Sequence, residues 1–225
     1  MNHITIYIIR HCEPLLPRST ERIFIGQTDI PLSEAGIQHA RALSLAFKDI
    51  VIEKIYSSDL IRSRHTAQLI AERHGIAVRN KPGLNEINLG TWEGLHVSEI
   101  MTNYPGEYEK RGEDIVRYRT PGGESFLDCS HRVLECFFTI ITKATGTILI
   151  VGHAGVNRII LSHVMGTGLE NIFTIEQRYG CINVMRRDDT GITIRAINNT
   201  GTEQGFNSIR NTGPYLRNLN HVKCK

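Results

Sequence analysis

The sequence has no CxxC pair, no apolar run long enough to cross a bilayer, and no stripe of basic residues. Each absence removes a class of protein. The five cysteines, Cys12, Cys129, Cys136, Cys181 and Cys224, are odd in number and widely spaced, which is not the pattern of a disulfide framework. They read as reduced thiols of a cytoplasmic protein, with Cys129 and Cys136, at helical spacing in an apolar segment, as core residues. A membrane-spanning helix needs roughly 20 apolar residues, and the runs here are far shorter. The N-terminus lacks a basic stretch followed by an apolar segment and a small-residue cleavage site, so secretion is not indicated. A net charge of +3 with scattered Lys and Arg gives no argument for nucleic acid, and no nucleic-acid partner is expected.

What is present is the composition of an ordinary globular chain. At 225 residues, 40% hydrophobic and 22% charged, it can bury a full core, and one domain is the expectation. The run Ile4 to Ile9 is nearly continuously apolar, as in a strand covered on both faces. Ser33 can cap a helix to about Phe47. A short strand at Lys54 to Ser57 precedes a helix from about Asp59 to Arg73, which Gly75 can end. Ala77 to Asn80 is another short strand, and Ser125 caps a long helix to about Lys143. Thr147 to Val151 reads as a central strand, Val156 to Met165 as a helix, and Cys181 to Arg186 and Ile192 to Ile197 as the last strands. This alternation predicts an α/β protein, a three-layer α/β/α sandwich with a mostly parallel central sheet. Residues 1–204 are expected to form the single domain, with a less regular excursion over about 92–123 acting as a cap. The tail 205–225, mildly basic and with a turn at Gly213-Pro214, fits an extra hairpin or an unstructured end equally.

Chemistry concentrates at element ends. Arg10-His11-Cys12-Glu13-Pro14 follows the first strand, and Gly152-His153-Ala154-Gly155 follows the central one. Between them lie Ser57-Ser58-Asp59-Leu60-Ile61-Arg62 and Asn85-Glu86, the latter just before Gly90-Thr91-Trp92-Glu93-Gly94. Open α/β sheets bind ligands at the carboxyl ends of their strands. Two His, two Arg and one Glu placed there can assemble a phosphate-transfer site.

The order RHCE, SSDLIRS, NEINLGTWEG, GHAG resembles the histidine phosphatase superfamily, the phosphoglycerate-mutase-like phosphatases, from about Ile4 to about Asn199. The resemblance implies the phosphoglycerate-mutase-like fold and phosphomonoester chemistry. Arg10 and Arg62 suit the binding of a phosphate dianion, since each guanidinium offers rigid donors to its oxygens. His11 is the expected nucleophile, with one ring nitrogen free and the other held as N–H by a backbone carbonyl. His153 is expected to donate to the transferring phosphoryl group, aided by the amide of Gly155. Glu86 is the expected general acid, its carboxyl proton-bearing beside a dianion and away from bulk water. Glu93 reads as structural, whereas Glu13 is a candidate for the pocket. His11 and Glu13 form an HxE pair without a third ligand at usable spacing, so neither a metal nor a cofactor is expected.

Two departures from the family pattern stand out. Cys12 replaces the usual Gly, so its backbone must avoid conformations only Gly tolerates. Pro14 stands where Thr is common, and an Asn that often joins the phosphate pocket is missing; Ser19 or Thr20 is expected to substitute.

Arg22 to Leu32 and Pro121 to Ser125 are similar to the small bacterial branch that includes α-ribazole-5′-phosphate phosphatases. The stretch from Glu86 to His153 is shorter than the mutases of the superfamily carry. The resemblance therefore favours a phosphatase acting on a small phosphorylated metabolite. A cofactor-dependent phosphoglycerate mutase and a non-catalytic phospholigand-binding relative are the alternatives. The partner expected is that small substrate, without nucleic acid or membrane, and a homodimer is the one assembly left open.

Overall fold

The computed structural model describes residues 3–17 and 19–200; the tail from residue 205 lies outside the described residues. Strand β1, Ile4–Arg10, runs through the middle of a six-stranded sheet. Its alternate side chains serve two cores, because successive residues of a strand point to opposite faces. Ile6 and Ile8 join Ile148 and Ile150 on one face, while Tyr7 and Ile9 join Leu149 and Val151 on the other.

The remaining strands are β2 (Lys54–Ser57), β3 (Val78–Asn80), β4 (Thr147–Gly152), β5 (Ile182–Asp188) and β6 (Gly191–Asn199), in spatial order β3-β2-β4-β1-β5-β6. The first four in that order are parallel; β5 runs antiparallel to β1, and β6 antiparallel to β5. Helices α1 (Glu34–Ala46) and α2 (Ile61–His74) cover the Tyr7 face through Ala40, Leu43, Ala67 and Ile70. Helices α5 (Phe126–Thr142) and α6 (Ala154–Met165) cover the Ile8 face through Val133, Phe137, Val156 and Ile159. The result is the three-layer arrangement the alternation implies.

Caps set the helix limits. Ser33 accepts from the Gly36 amide, and Ser125 forms a reciprocal capping box with Asp128. Gly75 and Gly166 close α2 and α6 in the left-handed conformation. Helix α2 starts two residues later than expected: Ser58 accepts from the Leu60 amide and Asn85 from the Asp59 amide, holding a turn. Helix α6 starts two residues earlier, at Ala154, with His153 as its N-cap residue.

The excursion holds two short helices, α3 (Val97–Asn103) and α4 (Glu107–Glu113). Trp92, fully buried, ties it down. Its ring meets Phe24 edge-on at 5.6 Å and contacts Tyr118 at 5.8 Å. Among the described residues, no helix is long and apolar enough to cross a membrane.

Candidate active site

The carboxyl ends of β1 and β4 lie side by side, with Arg10 opposite Gly152. The helix after β1 packs on one face of the sheet and the helix after β4 on the other. A crevice opens at such a switch point because the two chains diverge there. A cavity of about 510 Å³ occupies it, lined by Arg10, His11, Arg62, Glu86 and Gly155 among others.

His11 sits at the cavity floor, held at three points. Its amide donates to the Gly152 carbonyl, extending the parallel ladder by one residue. Its Nδ1 lies 2.7 Å from the Cys12 carbonyl. A carbonyl can only accept, so Nδ1 carries the hydrogen and Nε2 the lone pair. Toward that lone pair Arg62 Nε donates at 3.3 Å. Cys12 performs this without the backbone freedom of glycine, since Asn198 is the only non-glycine with positive φ among the described residues. The Cys12 amide donates to Thr66 Oγ1, and burial pushes its thiol up to about 12, leaving it inert beside His11.

Arg62 is almost completely buried. Its other two nitrogens donate to the carbonyls of Thr28 and Gly26, at 2.7 and 2.6 Å. Those carbonyls belong to a loop that Glu93 organises by accepting the amides of Gly26, Gln27 and Thr28. Glu93 therefore acts at a distance, aiming Arg62 by shaping the loop. Arg10 is placed differently: Nη1 donates to the Gln177 carbonyl at 2.7 Å, and the guanidinium lies 3.7 Å over the Tyr179 ring. Tyr179 also faces His11, with ring centroids 5.5 Å apart.

His153 is fully buried behind His11, ring centroids 5.1 Å apart, and does not line the cavity. Its Nε2 is 2.7 Å from Ser58 Oγ, while its Nδ1 has no hydrogen-bond partner among the described residues. Glu86 spans two amides, accepting from Ile87 through Oε1 and from Gly155 through Oε2. A Cβ on Gly155 would come within 2.5 Å of Glu86 Oε1, so glycine is what permits this approach. The Glu86 loop is stapled to α5 by Arg132, which donates to the carbonyls of Gly83, Asn85 and Glu86 and pairs with Glu124.

The structure thus brings together Arg10, His11, Arg62, Glu86 and, one layer deeper, His153. Three other expected residues are placed otherwise. Glu13 is exposed and accepts from Ser33 at the start of α1, outside the cavity wall. Thr20 is exposed and off the wall, whereas Ser19 lies on it. Gly155 lines the cavity, but its amide is committed to Glu86, so it positions a carboxylate there. Tyr179, the role of Ser58 and the staple made by Arg132 were not legible in the sequence, because nothing local marks a residue whose partners (His11, His153 and the carbonyls of Gly83, Asn85 and Glu86) lie tens of residues away. Among the described residues, no group of three or more His, Cys, Asp or Glu side chains is placed to hold a metal ion.

Burial first, then Arg62 and Arg10, hold His11 well below the ordinary imidazole range against the raising effect of the Cys12 carbonyl. Burial, then His11 and the nearby guanidinia, do the same to His153. His39 and His74 are also lowered, mainly by burial. An unfolded chain binds these protons near pH ~6.5, before the folded protein does. Stability should therefore fall as pH drops from about 7.5 to about 5.5, levelling off only below the folded-state values. Urea midpoints at the two pH values check this; an unchanged midpoint would mean the rings protonate freely in the fold.

A strand-end histidine with a fixed tautomer, two guanidinia and a carboxylate at a sheet switch point define an enzyme that handles phosphoryl groups. The profile of the histidine phosphatase superfamily (branch 1) matches residues 6–200, and the chain belongs to that superfamily. The adenosylcobalamin/alpha-ribazole phosphatase of Escherichia coli strain K12 is 26% identical over 195 residues, covering 86% of this chain and 95% of the relative. A 2,3-bisphosphoglycerate-dependent phosphoglycerate mutase of Gloeobacter violaceus is 29% identical over 185 residues, covering 80% and 83%. The crystal structure of the alpha-ribazole phosphatase from Shigella flexneri superposes with a TM-score of 0.80 at 26% identity, covering 87% of this chain and 96% of that one. The protein is a phosphatase of the histidine phosphatase type with the phosphoglycerate-mutase-like fold.

Proposed function

We propose that the protein hydrolyses a small phosphomonoester through a phosphohistidine on His11. The observation that carries this is the lone pair of His11 Nε2, fixed by the Cys12 carbonyl and placed at the cavity floor beside Arg62. In the first step Nε2 attacks phosphorus as the ester P–O bond breaks, and Glu86 gives a proton to the leaving oxygen. Arg10 and Arg62 hold the equatorial oxygens. His153 lies one layer behind His11, with Ser58 on Nε2 and no partner on Nδ1 among the described residues, and reaches the transferring group only as that group seats against His11. In the second step the Glu86 carboxylate takes a proton from water, the water oxygen attacks phosphorus, and the P–N bond breaks to release inorganic phosphate.

Similarity to the alpha-ribazole phosphatases puts α-ribazole 5′-phosphate at the head of a substrate panel with 3-phosphoglycerate, fructose 2,6-bisphosphate and nucleoside monophosphates. The mutase named among the relatives keeps a second reading open. Formation of 2-phosphoglycerate with a kcat/KM above that of every hydrolysis would favour it. A burst of product from a chromogenic phosphate ester would separate either enzyme from a binding-only relative.

The guanidinia supply charge that Mg²⁺ provides in many phosphoryl-transfer enzymes. Turnover should therefore survive EDTA, and vanadate, which can take the trigonal-bipyramidal geometry at His11, should inhibit it. Loss of activity on chelation with recovery on adding one divalent ion would contradict this.

A further inference from the structure

The walls of the cavity hold more positive charge than one phosphoryl group uses. Five arginines line it, Arg10, Arg22, Arg62, Arg111 and Arg158, against two carboxylates, Glu21 and Glu86. Both carboxylates are held by neutral donors, Glu21 by the amide and hydroxyl of Ser98 and Glu86 by the amides of Ile87 and Gly155, so two carboxylates face five guanidinia. Among the described residues, none of the five arginines has a salt bridge to a protein carboxylate.

Arg10 and Arg62 belong to the floor around His11, and the other three form an outer group. Arg22 and Arg111 both lie on the ring of Phe24, at 5.1 and 5.5 Å, and Arg111 also reaches Phe126 at 5.9 Å. Arg158 donates Nε to the Ile175 carbonyl and stands 5.3 Å over Phe173. It lines the cavity together with Arg10 and Arg22. Arg111 is pushed down to about 10 by burial and then by Arg22, with only the tyrosines Tyr108 and Tyr118 opposing. Aromatic faces hold guanidinia in place but leave their in-plane donors free. Two such cations sharing one ring repel each other, and an anion between them would remove that cost.

We propose that Arg22 and Arg111, with Arg158 beside them, form a second anion subsite, and that the preferred substrate carries a carboxylate or second phosphoryl group on the part that is not cleaved. This rests on the phosphatase reading and sets a criterion that similarity to relatives does not. An ester with a second anion should be preferred over one whose remainder is neutral, α-ribazole 5′-phosphate included. The cap contributes Arg111 from α4, so it takes part in choosing the substrate.

The test uses matched pairs with the full-length protein. 3-Phosphoglycerate against glycerol 3-phosphate reports a carboxylate; fructose 1,6-bisphosphate against fructose 6-phosphate reports a second phosphoryl group. In at least one pair the anionic member should have kcat/KM higher by roughly tenfold or more, the scale of one charge-assisted hydrogen-bond pair. The Arg22→Gln/Arg111→Gln double variant should bring that ratio close to one. Wild-type ratios near one in both pairs, or a ratio unchanged in the double variant, would overturn the subsite while leaving the phosphatase reading intact. Calorimetric binding of the same pairs to wild-type protein separates the two failures. Selective binding without turnover of any ester would sink the hydrolytic reading and keep the subsite.

Discussion

Replacing His11 with Ala should abolish phosphate release, by roughly 10⁴-fold or more, as removal of a covalent nucleophile does elsewhere. The side chain is buried, yet it borders an open cavity, so the truncated residue leaves space that water can fill and the fold should persist. An unshifted urea midpoint beside lost activity would locate the defect in the chemistry. Brief incubation of the wild-type protein with a labelled ester should yield an adduct on His11 that is labile in acid. His11→Ala protein with unimpaired turnover, or a label on another residue, would end the phosphohistidine mechanism. Cys12 is no alternative acceptor, because its buried thiol is held up at about 12.

The second large effect is selective. Glu86→Gln should slow hydrolysis of alkyl phosphates by about 10²–10⁴-fold, the usual range for a general acid, and that of aryl phosphates with acidic leaving groups far less. An alkoxide leaves with difficulty unless protonated, whereas a nitrophenolate needs no proton. Glu86 also accepts from the amides of Ile87 and Gly155. Glutamine keeps one acceptor and turns the other into a donor facing an amide N–H. Any displacement of the loop would lower both substrate classes together, so the ratio between classes is the quantity to read. Equal losses would assign Glu86 a binding or structural role.

The sequence alone determined the features set by short-range physics. The apolar run of β1, the caps at Ser33 and Ser125, and the stop at Gly75 depend on residues within a few positions of one another. They lie where pattern and capping chemistry put them. The tautomer of His11 belongs here too, since the carbonyl that sets it is that of the next residue. The motif residues could be named because each stands at an element end.

Only the tertiary structure decided how those residues are aimed. Arg62 reaches His11 because Gly26 and Thr28 carbonyls grip it, and they sit there because Glu93 gathers their loop. Arg10 is turned by a carbonyl 167 residues away and by the ring of Tyr179. Glu13, two residues from His11, points out of the cavity because the chain turns to place its carboxylate on Ser33. Arg111 joins the cavity because α4 packs beside Phe24, which rests edge-on against Trp92. In each case the partner is distant in sequence and is brought near by strand order and loop packing. Periodicity and capping carry no information about contacts of that range, so motif residues at element ends could be named from the sequence, whereas Tyr179 and the way the side chains are aimed could not.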